Sequence, residues 1–336
     1  MLNITVRHST DELDPYPDMP SQIPLREGAI RKALDEAGVE ASGLSAVVGR
    51  GGLIRPVQGG TYLVEETMIR DLQAGVLGEH ASNLGGILAR DIAERLEIPA
   101  YIVDPVVVDE LQDVARPAGT PPIERTSIFH ALNQKAVARR YAEEVGKRYE
   151  DLNLVVAHLG GGITVGAHRR GRVVDVNDGL NGDGPFSPER SGTLPALKVV
   201  KLCFQEGADE RQITKSIKGA GGLAGYLGTN DAREVGRRID SGDSQAELIY
   251  RSMAYQVSKE IGAMAVVLHG TADAILLTGG IAHDRRFVDW IRARVSFLAP
   301  LRVYPGEDEM KALAEGALRV LTGDEEAKRY LPEAAS

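Results

Sequence analysis

The chain has 336 residues, 43% of them hydrophobic and 26% charged, with a formal net charge of −9 and one cysteine. That length exceeds what one core comfortably fills, so two domains are expected, and the composition is that of a globular rather than a disordered protein. Basic residues are scattered, no run approaches the ~20 apolar residues of a membrane helix, and no charged-then-apolar leader opens the chain, so the expected partners include neither nucleic acid nor membrane and the expected location is cytoplasmic.

Short β-rich runs alternate with longer amphipathic stretches, the pattern of an α/β protein. A helix over 26–37 is closed by Gly38. A strand at 44–48 then ends in Gly49-Arg50-Gly51-Gly52. An arginine flanked by glycines at a strand end is open to grip an anion with both arms of its guanidinium, although a solvated surface arginine has the same signature. Ser82 predicts the N-cap of a helix over 83–96, and a strand follows at 100–103. The run VARPAGTPP at 114–122 breaks both periods. It places a boundary near 125, giving an N-terminal domain over 1–125 and a C-terminal domain over 126–336 whose last helix crosses back. Apolar and basic positions at helical spacing predict a helix over 124–149.

In the second half, a strand at 152–159 delivers His158 and then Gly160, Gly161 and Gly162. These bare amides suit an anion; a hairpin that uses glycine for geometry alone is the plainer alternative. A strand at 172–176 leads to the loop 179–184 and then to Phe186-Ser187-Pro188-Glu189-Arg190-Ser191-Gly192, which sets Arg190 among rigid turn residues. Cys203 lies in an apolar run and is expected to fill core space, in a reducing compartment. Gly219-Ala220-Gly221-Gly222 looks like a dinucleotide fingerprint, but it follows polar residues rather than a strand and is set aside. A long helix over 244–268 precedes a strand at 272–277, which runs into Gly279-Gly280 and a helix starting near Asp284. Such a junction can present amides to phosphate, yet most bind nothing. A strand at 301–304 and a helix at 307–321 close the fold. No P-loop, zinc-type ligand spacing or repeat is present in the sequence.

Seven segments, met in chain order, carry a resemblance. They are Gly49-Arg50-Gly51-Gly52, Gly78-Glu79-His80-Ala81-Ser82-Asn83-Leu84-Gly85, Ala100-Tyr101-Ile102-Val103-Asp104-Pro105, Ser127-Ile128-Phe129-His130-Ala131-Leu132-Asn133-Gln134, His158-Leu159-Gly160-Gly161-Gly162, Gly184-Pro185-Phe186-Ser187-Pro188-Glu189-Arg190-Ser191-Gly192 and Leu277-Thr278-Gly279-Gly280-Ile281. From about Arg7 to Leu321 the chain resembles the butyrate kinases, part of the acetate kinase group within the actin, sugar-kinase and chaperone ATPase superfamily.

The resemblance implies two ribonuclease H-like α/β domains facing a cleft, ATP or ADP with Mg2+, a short-chain carboxylate or its acyl phosphate as substrate, and a homodimer. Carried over residue by residue, Arg50 and Arg190 would hold the carboxylate and the transferring phosphoryl group. His158 would hydrogen-bond that group, His80 would be a second histidine of the site, and Asp104 would act through magnesium or on the carboxylate. Gly160, Gly161 and Gly162 correspond to a phosphate segment, and Gly279, Gly280 and Ile281 to an adenosine segment. Glu309 corresponds to a distal acid affecting magnesium, with a solvated acidic first helical turn as the alternative. The implied reaction moves the γ-phosphoryl group of ATP to butyrate or a related short or branched acid by direct in-line transfer. A carboxylate is already a deprotonated nucleophile, so the reaction needs cancelled repulsion and positioning rather than a strong base. Such kinases open with a strand-turn-strand phosphate segment, and the match begins only after it. The expectation is that about two strands and a turn are missing, through either a start codon lying upstream or a truncated, catalytically impaired nucleotide-binding paralogue.

Overall fold

The computed structural model describes residues 3–331. Its strands are β1 (Val47–Gly49), β2 (Thr61–Leu63), β3 (Ala100–Val103), β4 (Asn153–Leu159), β5 (Ile163–Arg169), β6 (Arg172–Val176), β7 (Ala274–Gly279) and β8 (Leu301–Pro305). The helices are α1 (Thr10–Leu13), α2 (Ile23–Glu36), α3 (Glu66–Ala74), α4 (Asn83–Arg95), α5 (Ala131–Glu144), α6 (Ala196–Cys203), α7 (Glu210–Ile217), α8 (Gly222–Leu227), α9 (Ala232–Asp240), α10 (Ser244–Val267), α11 (Arg285–Val295) and α12 (Glu309–Leu321). The chain forms two compact units, Met1–Val107 with Glu309–Ser336, and Val108–Asp308.

In the first unit, β1 and β3 run parallel and β2 pairs antiparallel on the far side of β3. Ile54, Met68, Leu72, Ile87 and Ile102 fill its core. α4 lies unusually close to the end of β1. A Cβ on Gly85 would sit 2.6 Å from the backbone N and O of Arg50, and one on Gly49 would sit 2.0 Å from the Gly85 carbonyl oxygen. Only glycine permits that approach. α12 touches β3 by the same device, a Cβ on Gly316 falling 2.5 Å from the Val103 side chain.

In the second unit, the sheet order is β6-β5-β4-β7-β8. The first three strands are antiparallel, and β7 and β8 run parallel to β4, the expected ribonuclease H-like arrangement. The two-residue period of β4 divides its side chains between two layers. Val155 and Ala157 pack with Tyr250, Met253, Val257 and Ile261 of α10, while Leu154 and Val156 pack with Val137 and Tyr141 of α5.

The boundary expected near 125 falls inside the second unit, to which the preceding loop is tied. Gln112 N–H donates to the Val174 carbonyl (3.0 Å), Ser127 Oγ to the Val108 carbonyl (2.7 Å), and Arg125 pairs with Asp175 (2.9 Å). The helix expected over 124–149 spans only α5. Its leading residues use their backbone groups elsewhere, Arg125 N–H on the Arg116 carbonyl and the Ile128 carbonyl on Gly179 N–H. Cys203, expected in the core, is exposed, because α6 buries none of its residues. Ser82 stands at the start of α4 without capping it; its Oγ lies 2.7 Å from His80 Nδ1 instead. Among the described residues no helix is long and apolar enough to cross a membrane.

Candidate active site

Gly160–Gly162 form the turn of the hairpin joining β4 and β5, so glycine geometry and amide exposure coincide there. His158 ends β4 with 1% of its surface exposed. Its Nδ1 lies 2.8 Å from Asn133 Oδ1 on the first turn of α5, and an amide oxygen only accepts, so Nδ1 carries a proton. Nε2 is therefore the atom left to meet a ligand, and it donates to an oxygen anion only as the imidazolium. Glu307 Oε1 lies 3.1 Å from Nε2 but out of line for a hydrogen bond, which leaves Nε2 without a bonded partner. His130 stacks on the same ring, with centroids 3.7 Å apart and planes 8° from parallel.

Arg190 comes to this hairpin from its own loop. A Cβ on Gly162 would stand 1.8 Å from Arg190 Nη1, so the guanidinium rests directly on bare backbone. Nη1 also donates to the Gly179 carbonyl, and Ser187 Oγ ties the loop to the Gly161 carbonyl at 2.7 Å. Burial pulls the Arg190 pKa below its ordinary value, while Glu189 and Asp178 act in the opposite sense. The group nevertheless stays a cation. No ion pair holds it among the described residues, and its nearest carboxylates, Glu189 and Asp178, act on it only at a distance.

The Gly219–Gly222 segment, set aside as a failed fingerprint, braces this loop. Gly219 N–H donates to the Glu189 carbonyl (2.7 Å), and Leu223 and Ala224 N–H at the start of α8 donate to the Ser187 and Pro188 carbonyls (3.2 and 2.9 Å). Gly222 has φ +58, and a Cβ there would lie 1.7 Å from the Ser187 carbonyl oxygen. The signal in the sequence was present but pointed to packing rather than to a cofactor.

Gly279 ends β7, the parallel neighbour of β4, with Thr278 opposite His158. Its φ of +89 and its approach to Leu159, 2.4 Å from Cβ to carbonyl oxygen, admit only glycine. Gly280 is open, with nothing within 4 Å of a Cβ, and Ile281 is buried. The helix expected near Asp284 is α11, capped by the Asp284 carboxylate accepting from Arg286 N–H at 2.9 Å. The second unit thus brings together His158, the Gly160–Gly162 turn, Arg190 and the Gly279–Ile281 turn.

The first unit carries the other predicted residues. Arg50 follows β1 and Asp104 follows β3, at the carboxyl ends of adjacent parallel strands. Arg50 Nη1 donates to Glu309 Oε2 at the start of α12 (2.8 Å). Asp104 is 1% exposed with φ +39, and its Oδ1 accepts from Gly60 N–H at 2.7 Å. A non-glycine residue there is strained, and such strain gathers at functional sites. His80 is exposed; Ser82 N–H donates to its Nδ1 at 3.2 Å, which leaves the ring proton on Nε2. Among the described residues no group of three or more His, Cys, Asp and Glu is disposed around a common metal position. A magnesium ion on nucleotide phosphates needs only one or two carboxylates, with water and phosphate completing its shell. Asp104 and Glu309 are oxygen donors of that chemistry. Sequence reasoning did not single out Asn133, His130 or Glu307, although His130, Asn133 and Gln134 share the i, i+3, i+4 spacing of one helical face.

Comparison with known proteins places the chain. Residues 123–304 match the model of the Acetokinase family. Butyrate kinase 2 of Clostridium acetobutylicum is 55% identical over 330 residues, 98% of this chain and 93% of that protein. The crystal structure of an acetate kinase from Entamoeba histolytica superimposes with a TM-score of 0.73 at 15% identity, covering 89% of this chain and 84% of that one. An acetate kinase from Porphyromonas gingivalis gives 0.71 at 20% identity, over 83% and 78%. At those identities the structures establish a shared two-domain α/β fold, and the sequence relative establishes more: the chain belongs to the acetokinase family of carboxylate kinases.

Proposed function

We propose that the protein transfers the γ-phosphoryl group of ATP to butyrate or a related short or branched-chain carboxylate, and runs the reverse reaction from the acyl phosphate and ADP. The observation that carries this reading is Arg190, a half-buried cation without an ion pair among the described residues, seated on Gly162 in the hairpin that presents His158. One carboxylate oxygen forms a bond to the γ-phosphorus as the bond to the β–γ bridging oxygen breaks, and ADP leaves with that electron pair. Arg190 offsets charge on the equatorial oxygens and His158 Nε2 hydrogen-bonds them, amides of the Gly160–Gly162 turn bind phosphate, and the Gly279–Ile281 turn meets the nucleoside. Arg50 holds the carboxylate, and Asp104 and His80 serve the same substrate. Mg2+ would supply positive charge to the nucleotide phosphates, and Asp104 and Glu309 are the residues that would hold it. No phosphoenzyme forms. The reading extends to a homodimer, which the family resemblance supports, and to the cytoplasm, where the exposed thiol of Cys203 suits reducing conditions. Nothing observed favours an impaired paralogue.

ADP release measured across C2–C6 acids assigns the substrate. The highest kcat/KM is expected at four carbons, and a maximum at two would move the reading to acetate. Transfer from an isotopically chiral γ-phosphoryl group is expected to invert configuration; retention would require an intermediate on the enzyme.

A further inference from the structure

A line of buried polar groups runs behind the stacked histidines and takes no part in the mechanism above. Tyr149 OH lies 2.7 Å from His168 Nδ1, His168 Nε2 lies 2.9 Å from Gln134 Oε1, and Gln134 Nε2 donates to Thr164 Oγ1 at 2.9 Å. Thr164 Oγ1 in turn lies 2.9 Å from His130 Nδ1. Gln134, Thr164 and His168 have no exposed surface and Tyr149 only 4%. The order of protons follows from chemistry. The Gln134 oxygen only accepts, so His168 Nε2 carries a proton and neutral His168 accepts from the Tyr149 hydroxyl at Nδ1. The Gln134 amide nitrogen only donates, so the Thr164 hydroxyl accepts from it and keeps its own proton to give to His130 Nδ1. A hydroxyl that gives that proton leaves His130 protonated on Nε2.

Space for the line is also built in. Thr164, Gly166 and His168 share one face of β5, and a Cβ on Gly166 would stand 2.6 Å from Gln134 Oε1 and 3.3 Å from His168 Nε2. An apolar core would fill this volume without needing five matched partners. The line ends on the ring that lies flat against His158.

We propose that Tyr149, His168, Gln134 and Thr164 are positioning residues that hold His130 as a neutral, Nε2-protonated platform under His158. With His130 neutral the stacked pair carries at most one positive charge, whereas two imidazolium rings with centroids 3.7 Å apart would repel each other. This rests on the reading that His158 meets the phosphoryl group.

The test is Thr164→Val in the full chain, which removes one hydroxyl and leaves Gln134 Nε2 its second acceptor, the Thr164 backbone carbonyl at 3.0 Å. Nitrogen-15 NMR of the histidine rings is expected to show His130 purely Nε2-protonated in the wild type and mixed in Thr164→Val. kcat is expected to fall by about tenfold with KM for ATP unchanged, the loss being one of position rather than binding. Thr164→Ser, which keeps the hydroxyl, is expected to restore both. An Nδ1-protonated His130 in the wild type, or an unchanged spectrum in Thr164→Val, would overturn the platform. A changed spectrum with unchanged kcat would overturn its role in positioning. Wild-type spectra as expected with a fully active His158→Ala would instead defeat the underlying assignment of His158 and leave the platform's geometry standing.

Discussion

Replacing the three turn glycines by alanine, one at a time, separates the position of Arg190 from the integrity of its loop. In Gly162→Ala the new methyl would stand 1.8 Å from Arg190 Nη1, against 3.4 Å for the shortest ordinary contact, so the guanidinium must retreat by about 1.6 Å. A misplacement of about 1 Å at a reacting centre can cut turnover by a factor on the order of 10², so kcat should fall by at least about that much. The obstacle is the far end of a flexible side chain, so the stability loss should stay near 1 kcal/mol, the low end for added methyl groups, and move Tm by only about 2–4 °C. In Gly161→Ala the nearest atom is Glu189 Oε2 at 3.7 Å, an ordinary contact. Arg190 and His158 stay in place there, and kcat at saturating ATP should hold within about threefold, with KM for ATP reporting how closely phosphate approaches that amide. Gly160→Ala puts the methyl 2.7 Å from His158 Nε2 and 2.9 Å from Glu307 Oε1, and should fall between. Steady-state kinetics beside thermal melts of each variant give the result. Equal losses in all three would mean that the loop as a whole matters rather than the guanidinium, and an active Gly162→Ala would refute the placement of Arg190 in the reaction.

Asp104→Asn keeps an acceptor for Gly60 N–H and suits φ +39, so it should melt like the wild type, whereas Asp104→Ala leaves a buried donor unpaired and should lose about 1–3 kcal/mol. If the Asn variant also keeps full kcat, the Asp104 charge has no part in the chemistry. Glu309→Gln should change stability by less than about 1 kcal/mol, since its partner Arg50 is 44% exposed, and should raise the Mg2+ concentration needed for half-maximal turnover. An unchanged Mg2+ dependence would remove Glu309 from the metal's ligands. Burial, reinforced by Asp183, raises the Glu260 pKa from 4.5 to about 7. A carboxyl raised on folding stabilises the fold below its unfolded value, and that contribution is lost as pH rises towards 7. Glu260→Gln should therefore flatten the fall in stability between pH 4.5 and 7, by up to about 3 kcal/mol; parallel melting curves for variant and wild type would contradict this.

What could be read from sequence follows physical lines. β4 and β7 are buried on both faces and bounded by glycine, so their apolar runs stood out, and with them the turns that carry the site. β2 spans only three residues and escaped notice, and β5 was hidden because Gly160–Gly162 looked like the end of a motif rather than the middle of a hairpin. The start of α5 was misplaced because residues 124–130 keep an apolar rhythm while their backbone bonds go to other segments. Cys203 sits in an apolar run that α6 turns outward, so hydrophobicity alone misjudged it. The hydrogen-bonded line behind His130 joins residues 19 to 34 positions apart along the chain, a distance at which no local pattern is legible. Gly222 matters through its approach to Ser187, which only the folded chain reveals.

The most direct test of the account is acyl phosphate formation from ATP and butyrate, trapped as the hydroxamate, by the wild-type protein and by Arg190→Ala purified with equal melting temperatures. Robust hydroxamate from the wild type and a loss on the order of 10³ or more in Arg190→Ala is the predicted result. No hydroxamate from the wild type, or equal yields from both proteins, would contradict it.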